Sequence, residues 1–440
     1  MLSKSFELFL EELQLDNTQD IETKFKSITK RLNSKYYGTN SDTDHAAMVG
    51  SIGRSTAIRN VSDLDMLFVL PKAVFNRFDN YESNGQKALL QEVRQEIKER
   101  YPHNSTIVRG DGQVVVVSFS NFEVEICPVF ENKDGSFCYP DSTNGGSWKR
   151  TDPLVEIGES EYMINETNSH FKYVCQILRA WKNNIGVKMG GLLIDTLVHK
   201  FFHNNKKYFS ITFDNYLELL LDLFGYLKGL DEEQHYWQAM GSKQHVYNKD
   251  KRFIKKASKA YKKLKELNPN CEDLYIVLKE LFGNNFPVVD SFKSNQIRYS
   301  NYYSPTEQFI EEMFPVDIRF RLIIDCEIKQ NGFRETLLKK LLKLKNPLLI
   351  NKELTFFIEY NEVAEKQLSC EIYWKVKNQG EEAVRRGQLR GEIKKGGNKK
   401  IENTNFRGQH YVECYIIHNG ICVARDFISV PIATHIAIKI

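Results

Sequence analysis

Twice along this chain the spacing of the apolar residues changes, and those two changes constrain the fold more than any other feature of the sequence. Up to about residue 168, helical stripes alternate with short period-two runs. Phe6, Phe9, Leu10 and Leu13 form one stripe, and Ile21, Phe25, Ile28 and Leu32 another. The runs HAAMVGSI, Asp63–Leu70, Thr106–Arg109, Gln113–Phe119 and Phe122–Ile126 read as strands. A short helix is expected near Ser55–Arg59, and a longer one carries Leu90, Val93 and Ile97 on one face. From Ser169 to Phe282 five segments repeat at helical spacing, separated by polar or glycine punctuation. Beyond Phe314 the alternation returns in VDIRFRLIIDCEI, ELTFFIEY, LSCEIYWKV, HYVECYII and ICVARDFISV. The expected order is therefore α/β, then α, then all-β, the last a sandwich. The corresponding boundaries are 1–168, 169–282, a polar Asn- and Ser-rich linker over 283–314, and 315–440. At 440 residues the chain can bury two or three separate cores.

Composition narrows the function classes. Eight cysteines are scattered with no CxxC pair, so neither a disulfide framework nor a structural zinc site is expected. The N-terminus MLSKSFELFLEELQL mixes acidic and apolar residues and is unlike a signal peptide. No apolar run approaches the roughly 20 residues that span a bilayer. The expected setting is the reducing cytoplasm, with no membrane partner. A net charge of +4 does not mark a nucleic-acid binder by itself.

The chemistry concentrates in V-G-S-I-G-R-S-T-A-I-R-N-V-S-D-L-D-M-L-F-V-L-P. Gly50 and Ser51 fall where a strand turns into a helix. Glycine there lets the backbone approach a phosphate, which N–H groups and the Ser51 hydroxyl can hold. Asp63 and Asp65 lie two apart in a strand, so both carboxylates leave the same face. Paired carboxylates repel unless a cation lies between them, and a divalent metal supplies it. A third acid on a neighbouring strand, Glu125 or Glu123 of F-E-V-E-I-C-P-V-F, would complete a site for two Mg²⁺ (or Mn²⁺) ions roughly 3.5–4 Å apart. Arg54 can meet a phosphate or pair locally.

GSIGRSTAIRNVSDLDM resembles the signature of polymerase-β-type nucleotidyltransferases, and its Arg-Ser-Thr-Ala-Ile and DLDM elements resemble the cGAS/DncV-like group, the CD-NTases. In that group the third acid precedes a proline by three residues. Glu125 stands three before Pro128, so the resemblance favours Glu125 over Glu123, with Glu where the family usually has Asp. Tyr139-Pro140-Asp141, Trp148 and Thr151-Asp152-Pro153 resemble its post-strand loop. ILRAWKNN resembles its RLIKAWK helix, which implies nucleotide-binding roles for Arg179 and Lys182. GGLLIDTLV resembles the next helix, with Gly190, Gly191 and Asp195 where relatives often carry Lys-Ser and Glu. The C-terminal WKVKNQGEEA, LRGEI, FRGQHYVECYII and VARDFISV resemble the AGS-C sensor module.

The resemblance implies a polymerase-β-like core, a helical half of the OAS/cGAS type and a sandwich-like β-domain. It also implies a synthase that joins ATP, GTP or other ribonucleoside triphosphates into a cyclic di- or trinucleotide. That product would signal to a separate effector in bacterial anti-phage (CBASS) defence. Three other readings stay open: template-free nucleotide transfer to RNA or protein, a catalytically silent nucleotide sensor, and a β-domain that binds a protein. The basic set Arg385, Arg386, Arg390, Lys394, Lys395, Lys399, Lys400 and Arg407 suits an RNA or nucleotide ligand on that domain, or simply an exposed, soluble hairpin. The Lys-rich Lys251–Lys265 reads as a solvated helix face, at a surface that can meet nucleic acid in the family. Trp181 is expected in the core.

Overall fold

A computed structural model describes residues 2–60, 63–102, 106–119, 122–248, 250–267, 274–287, 307–329, 336–344 and 348–433. Cys271 and most of the expected linker lie outside them. The chain divides into two compact units: Glu7–Ala180 with Gly190–Ile254, and Met1–Phe6 with Trp181–Met189 and Lys255–Ile440.

In the first of these, α2 (Thr18–Tyr37) follows α1 (Leu2–Glu12), most of which belongs to the same unit. Next come β1 (Ala46–Met48), α3 (Gly50–Gly53), β2 (Asp63–Val69), α4 (Lys72–Asp79) and α5 (Gly85–Arg100). Strands β3 (Ile107–Asp111), β4 (Val114–Ser118), β5 (Glu123–Glu131), β6 (Phe137–Asp141) and β7 (Ser147–Thr151) complete a seven-stranded sheet. Its main path runs β1-β2-β5-β4-β3, with β6 and β7 added beyond β5. β2 and β5 are parallel, and their other neighbours on that path are antiparallel.

Helices α2 and α5 cover one face of this sheet. Ile21, Phe25, Ile28 and Leu32 meet Leu89, Leu90, Val93 and Ile97 over Leu64, Met66, Phe68, Val124 and Ile126. Period-two alternation then sends Asp63 and Asp65 to the opposite face. The helix expected near Ser55–Arg59 is instead α3, which begins five residues earlier. Ser55 takes a left-handed φ of 58°, which no helix tolerates, and the Thr56 and Ala57 N–H groups fold back to donate to the Ser51 carbonyl at 2.9 and 3.1 Å. Helices α6 (Pro153–Glu166), α7 (His170–Asn184), α8 (Gly191–Asn204) and α9 (Tyr216–Lys228) follow, then a hairpin of β8 (Tyr236–Gln238) and β9 (His245–Tyr247).

The other unit holds α10 (Arg252–Lys265) from Lys255 onward, α11 (Leu274–Phe282) and the β-rich C-terminal region. Strands β10 (Leu322–Lys329), β11 (Thr336–Leu337), β13 (Glu353–Asn361) and β16 (Lys399–Asn403) make one sheet, in the order β11-β10-β13-β16. The second contains β12 (Leu348–Leu349), β14 (Glu371–Lys377), β15 (Arg390–Gly396), β17 (Gly408–His418) and β18 (Ile421–Ala433), in the order β12-β18-β17-β14-β15. Ile324, Cys326 and Phe356 of the first share a core with Trp374, Val412, Cys414 and Ile416 of the second, which makes the region a sandwich. The strand expected from Val316 begins only at Leu322, because Val316 and Ile318 belong to a separate small apolar cluster with Ile310 and Tyr415.

The seven cysteines among the described residues are free. No helix among those residues is long and apolar enough to cross a membrane.

Candidate active site

Three carboxylates converge on the face of the first sheet opposite α2 and α5. The parallel register sets Asp65 beside Glu125 and Asp63 beside Glu123. One oxygen each from Asp63, Asp65 and Glu125 lies within 4.8 Å of the others, and all three residues are half-buried. Among the described residues this is the one such group of metal-ligating side chains. Its donors are all hard oxygens, the set that suits Mg²⁺ or Mn²⁺. The local field is negative: the Cys127 thiol is pushed up to about 12, chiefly by burial and further by Asp65 and Glu125.

Gly50 brings the turn against these acids. Its φ is +62°, and a Cβ there would lie 1.7 Å from Asp65 Oδ2. Only glycine satisfies both conditions. The Val49 N–H donates to the Asp65 carbonyl at 2.8 Å, tying the turn that carries Gly50 and Ser51 to β2.

Glu123 has other work. It is buried, accepts from Ser118 Oγ at 2.6 Å and pairs with Arg109 at 3.1 Å. The two glutamates should therefore separate by phenotype. Glu125→Gln is expected to lower nucleotide turnover by about 100-fold or more, exceeding the 10–100-fold typical of outer-shell partners. Glu123→Gln is expected to cost about 1–2 kcal/mol of stability while retaining most turnover. Steady-state rates and denaturant titrations of the two variants check this, and equal loss of turnover in both would contradict it.

The expected nucleotide-binding cations are engaged elsewhere within the protein. Arg54 and Arg179, both buried, converge on Asp195 of α8, which is 0% exposed. Arg54 Nε donates to Asp195 Oδ2 at 2.9 Å, and Arg179 donates to Oδ1 at 2.6 Å and to Oδ2 at 2.9 Å. Thr56 Oγ1 adds a fourth bond at 2.9 Å. Burial pushes the Asp195 carboxyl up, but Arg179 and Arg54 outweigh it and hold the group at about 2. Glu156 stands 3.7 Å from Arg54, its own carboxyl raised by burial. Lys182, also buried, donates to Asp317 Oδ1 at 3.0 Å and the Ile318 carbonyl at 2.9 Å.

Asp195 and Thr56 thus anchor the loop that follows Ser51, a role the sequence reading did not assign. One signal was there: a carboxylate among Leu193, Ile194, Leu197 and Val198 has no solvent to face and needs a buried cation. Trp181 is fully buried as expected. In the basic C-terminal set, Arg385 and Arg386 pair with Glu382, Arg390 and Lys400 with Glu402, and Lys395 with Glu371.

A sheet that carries Asp-x-Asp beside a glycine turn, with a third acid on the adjacent parallel strand, defines a polymerase-β-like nucleotidyltransferase fold. Residues 1–163 match the family described as Second Messenger Oligonucleotide or Dinucleotide Synthetase domain. Residues 304–433 match the Adenylyl/Guanylyl and SMODS C-terminal sensor domain. Residues 1–163 thus carry the synthetase domain of the CD-NTases, and residues 304–433 the AGS-C sensor domain. No curated protein matches it in sequence. Among solved structures it is similar to Escherichia coli MS115-1 CdnC in complex with HORMA-deltaN, at 16% identity and a TM-score of 0.48 over 64% of this chain and 96% of that one. It is also similar to the Bradyrhizobium diazoefficiens CD-NTase CdnG in complex with GTP, at 10% identity and 0.48 over 65% and 96%. For the Vibrio cholerae di-nucleotide cyclase DncV the values are 10% and 0.45 over 55% and 70%.

Proposed function

We propose that this chain is a cyclic oligonucleotide synthase that makes a cyclic di- or trinucleotide from ribonucleoside triphosphates such as ATP and GTP. The observation that carries this reading is the convergence of Asp63, Asp65 and Glu125 against the Gly50–Ser51 turn, inside a domain of the second-messenger synthetase family. When bound, two divalent ions would supply Lewis acidity to the attacking hydroxyl and to the triphosphate. Asp63 and Asp65 are the residues to hold both, and Glu125 the one on the side of the attacking hydroxyl. The Ser51 hydroxyl and the N–H groups of its turn receive the triphosphate. Asp195 keeps that turn in place through Thr56 and Arg54. A ribose hydroxyl oxygen forms a bond to the α-phosphorus, its proton passes to solvent, and the bond from the α-phosphorus to pyrophosphate breaks. The step repeats until the terminal hydroxyl attacks the α-phosphorus of the chain's own triphosphate, which closes the ring and releases the last pyrophosphate.

Within this reading the enzyme works in the bacterial cytoplasm, and its product activates a separate effector in CBASS-type anti-phage defence. The test is incubation of the purified chain with all four ribonucleotides and Mg²⁺ or Mn²⁺, followed by phosphatase and mass spectrometry. A phosphatase-resistant cyclic species supports the proposal and names its bases. Linear products alone would replace it with template-free transfer.

A further inference from the structure

The outer face of the second sandwich sheet carries more buried charge than a structural surface needs. Along β14, Trp374 and Val376 face the sandwich core, so Lys375 and Lys377 point away from it. Both lysines are nonetheless 2% and 1% exposed, and Glu307 and Phe309 of the strap 307–313 lie against them. Glu307 inserts between the two ammonium groups, at 2.9 Å from Lys375 Nζ and 2.6 Å from Lys377 Nζ. Four residues on, Glu311 meets Arg425 of β18 at 2.8 Å. The sheet itself contributes Glu413, 3.0 Å from Arg425 and 3.7 Å from Lys375. Take the strap away and three cations face one carboxylate.

The strap is also held by other groups, among them the Phe309 ring, 4.7 Å from Lys375 Nζ, and the apolar cluster around Ile310. The Gln308 N–H donates to the Gly391 carbonyl at 3.1 Å, the Ile393 N–H donates to Gln308 Oε1 at 2.8 Å, and Ile310 is fully buried. Uncompensated buried cations are strongly unfavourable, whereas apolar residues of similar volume usually serve stability as well or better. A face of cations covered by a segment bearing matched acids is therefore built to exchange one anion for another. Tyr411, whose hydroxyl donates to Glu307 at 3.4 Å, adds a polar group to this face.

We propose that Lys375, Lys377 and Arg425 form a phosphate-binding site, and that Glu307 and Glu311 occupy it as an internal stand-in which the phosphates of a nucleotide or RNA ligand displace. Phosphate oxygens match the geometry of both lysine and arginine donors, and a polyphosphate or RNA backbone supplies several at once. The site lies in the sensor domain, so ligand arrival is read as release of the strap. This inference stands apart from the synthase reading, because its test needs no turnover.

The experiment measures binding of inorganic triphosphate and of a labelled short single-stranded RNA to the full chain. A strap that closes the site lowers apparent affinity by the fraction of open molecules. Glu307→Gln/Glu311→Gln is thus expected to bind at least one probe about tenfold or more tighter than the unsubstituted chain. Adding Lys375→Met/Lys377→Met should abolish the gain. A response to both probes assigns phosphate itself, and a response to RNA alone assigns the oligonucleotide. Hydrogen exchange on the unsubstituted chain guards against misfolding: saturating probe should deprotect residues 307–313. Unchanged affinity with a lowered melting temperature, or a strap that stays protected under saturating probe, would overturn the proposal.

Discussion

The Asp63→Asn/Asp65→Asn protein is expected to lose nucleotide joining by at least about 1,000-fold while folding as well as the parent. On the proposed reading each substitution removes a charged metal ligand, a larger loss than the 10–100-fold typical of the groups that merely orient ligands. Asparagine keeps the shape of each side chain, so the apolar residues that alternate with it on β2 stay packed. Three half-buried carboxylates within 4.8 Å of one another also repel in the absence of a cation. Relieving that repulsion should leave the metal-free protein as stable or slightly more so. A second readout follows, independent of turnover: Mg²⁺ or Mn²⁺ should raise the melting temperature of the parent and not of the variant. Turnover above a tenth of the parent's, or an undiminished metal-dependent melting shift, would show that these carboxylates are not the metal ligands.

The largest effect on stability is expected at Asp195. Its replacement by Ala leaves two buried guanidinium groups without their shared counter-charge and removes the acceptor of Thr56. Breaking a buried pair by removing one partner costs about 3–5 kcal/mol, since the remaining charge stays out of water. Two arginines share this one carboxylate, so the upper part of that range is expected in denaturant unfolding. Exchanging Arg54 and Arg179 for Gln in the same chain should recover part of the loss, because two guanidinium charges then no longer lie buried without Asp195.

The pH dependence has a definite sign. The folded Asp195 carboxyl sits at about 2, below the ordinary 3.8. Its contribution is therefore complete above about pH 4 and disappears as pH falls through about 2. That segment of the acid limb should be shallower in Asp195→Ala. A loss below about 1 kcal/mol would mean the network is not a keystone of this unit.

Much of the architecture was legible in apolar spacing. The stripes of α2 and α5, the period-two strands β2 and β5, and the five sandwich strands with β-branched runs are set by local pattern, because each must bury one face. The pairing of Asp63 with Asp65 was equally local: two residues apart on a strand share a face. Glu125 and Glu123 differ for a reason no spacing reveals. Both alternate outward on β5, and it is the antiparallel neighbour β4 and the strand beyond it that bring Ser118 and Arg109 to Glu123.

The same limit explains the cations. The carboxylate that holds Arg54 and Arg179 lies on another helix, 141 residues from Arg54 and 16 from Arg179, so no local spacing announces it. Lys182 likewise meets Asp317, 135 residues away. The sequence by itself determined which residues form elements, which face of each is buried, and that two aspartates would stand together beside a glycine turn. Only the tertiary structure decided which charges remain available for chemistry and which are spent on one another. Charge pairing over such separations depends on where whole elements pack, whereas side-chain periodicity depends only on the geometry of a single helix or strand.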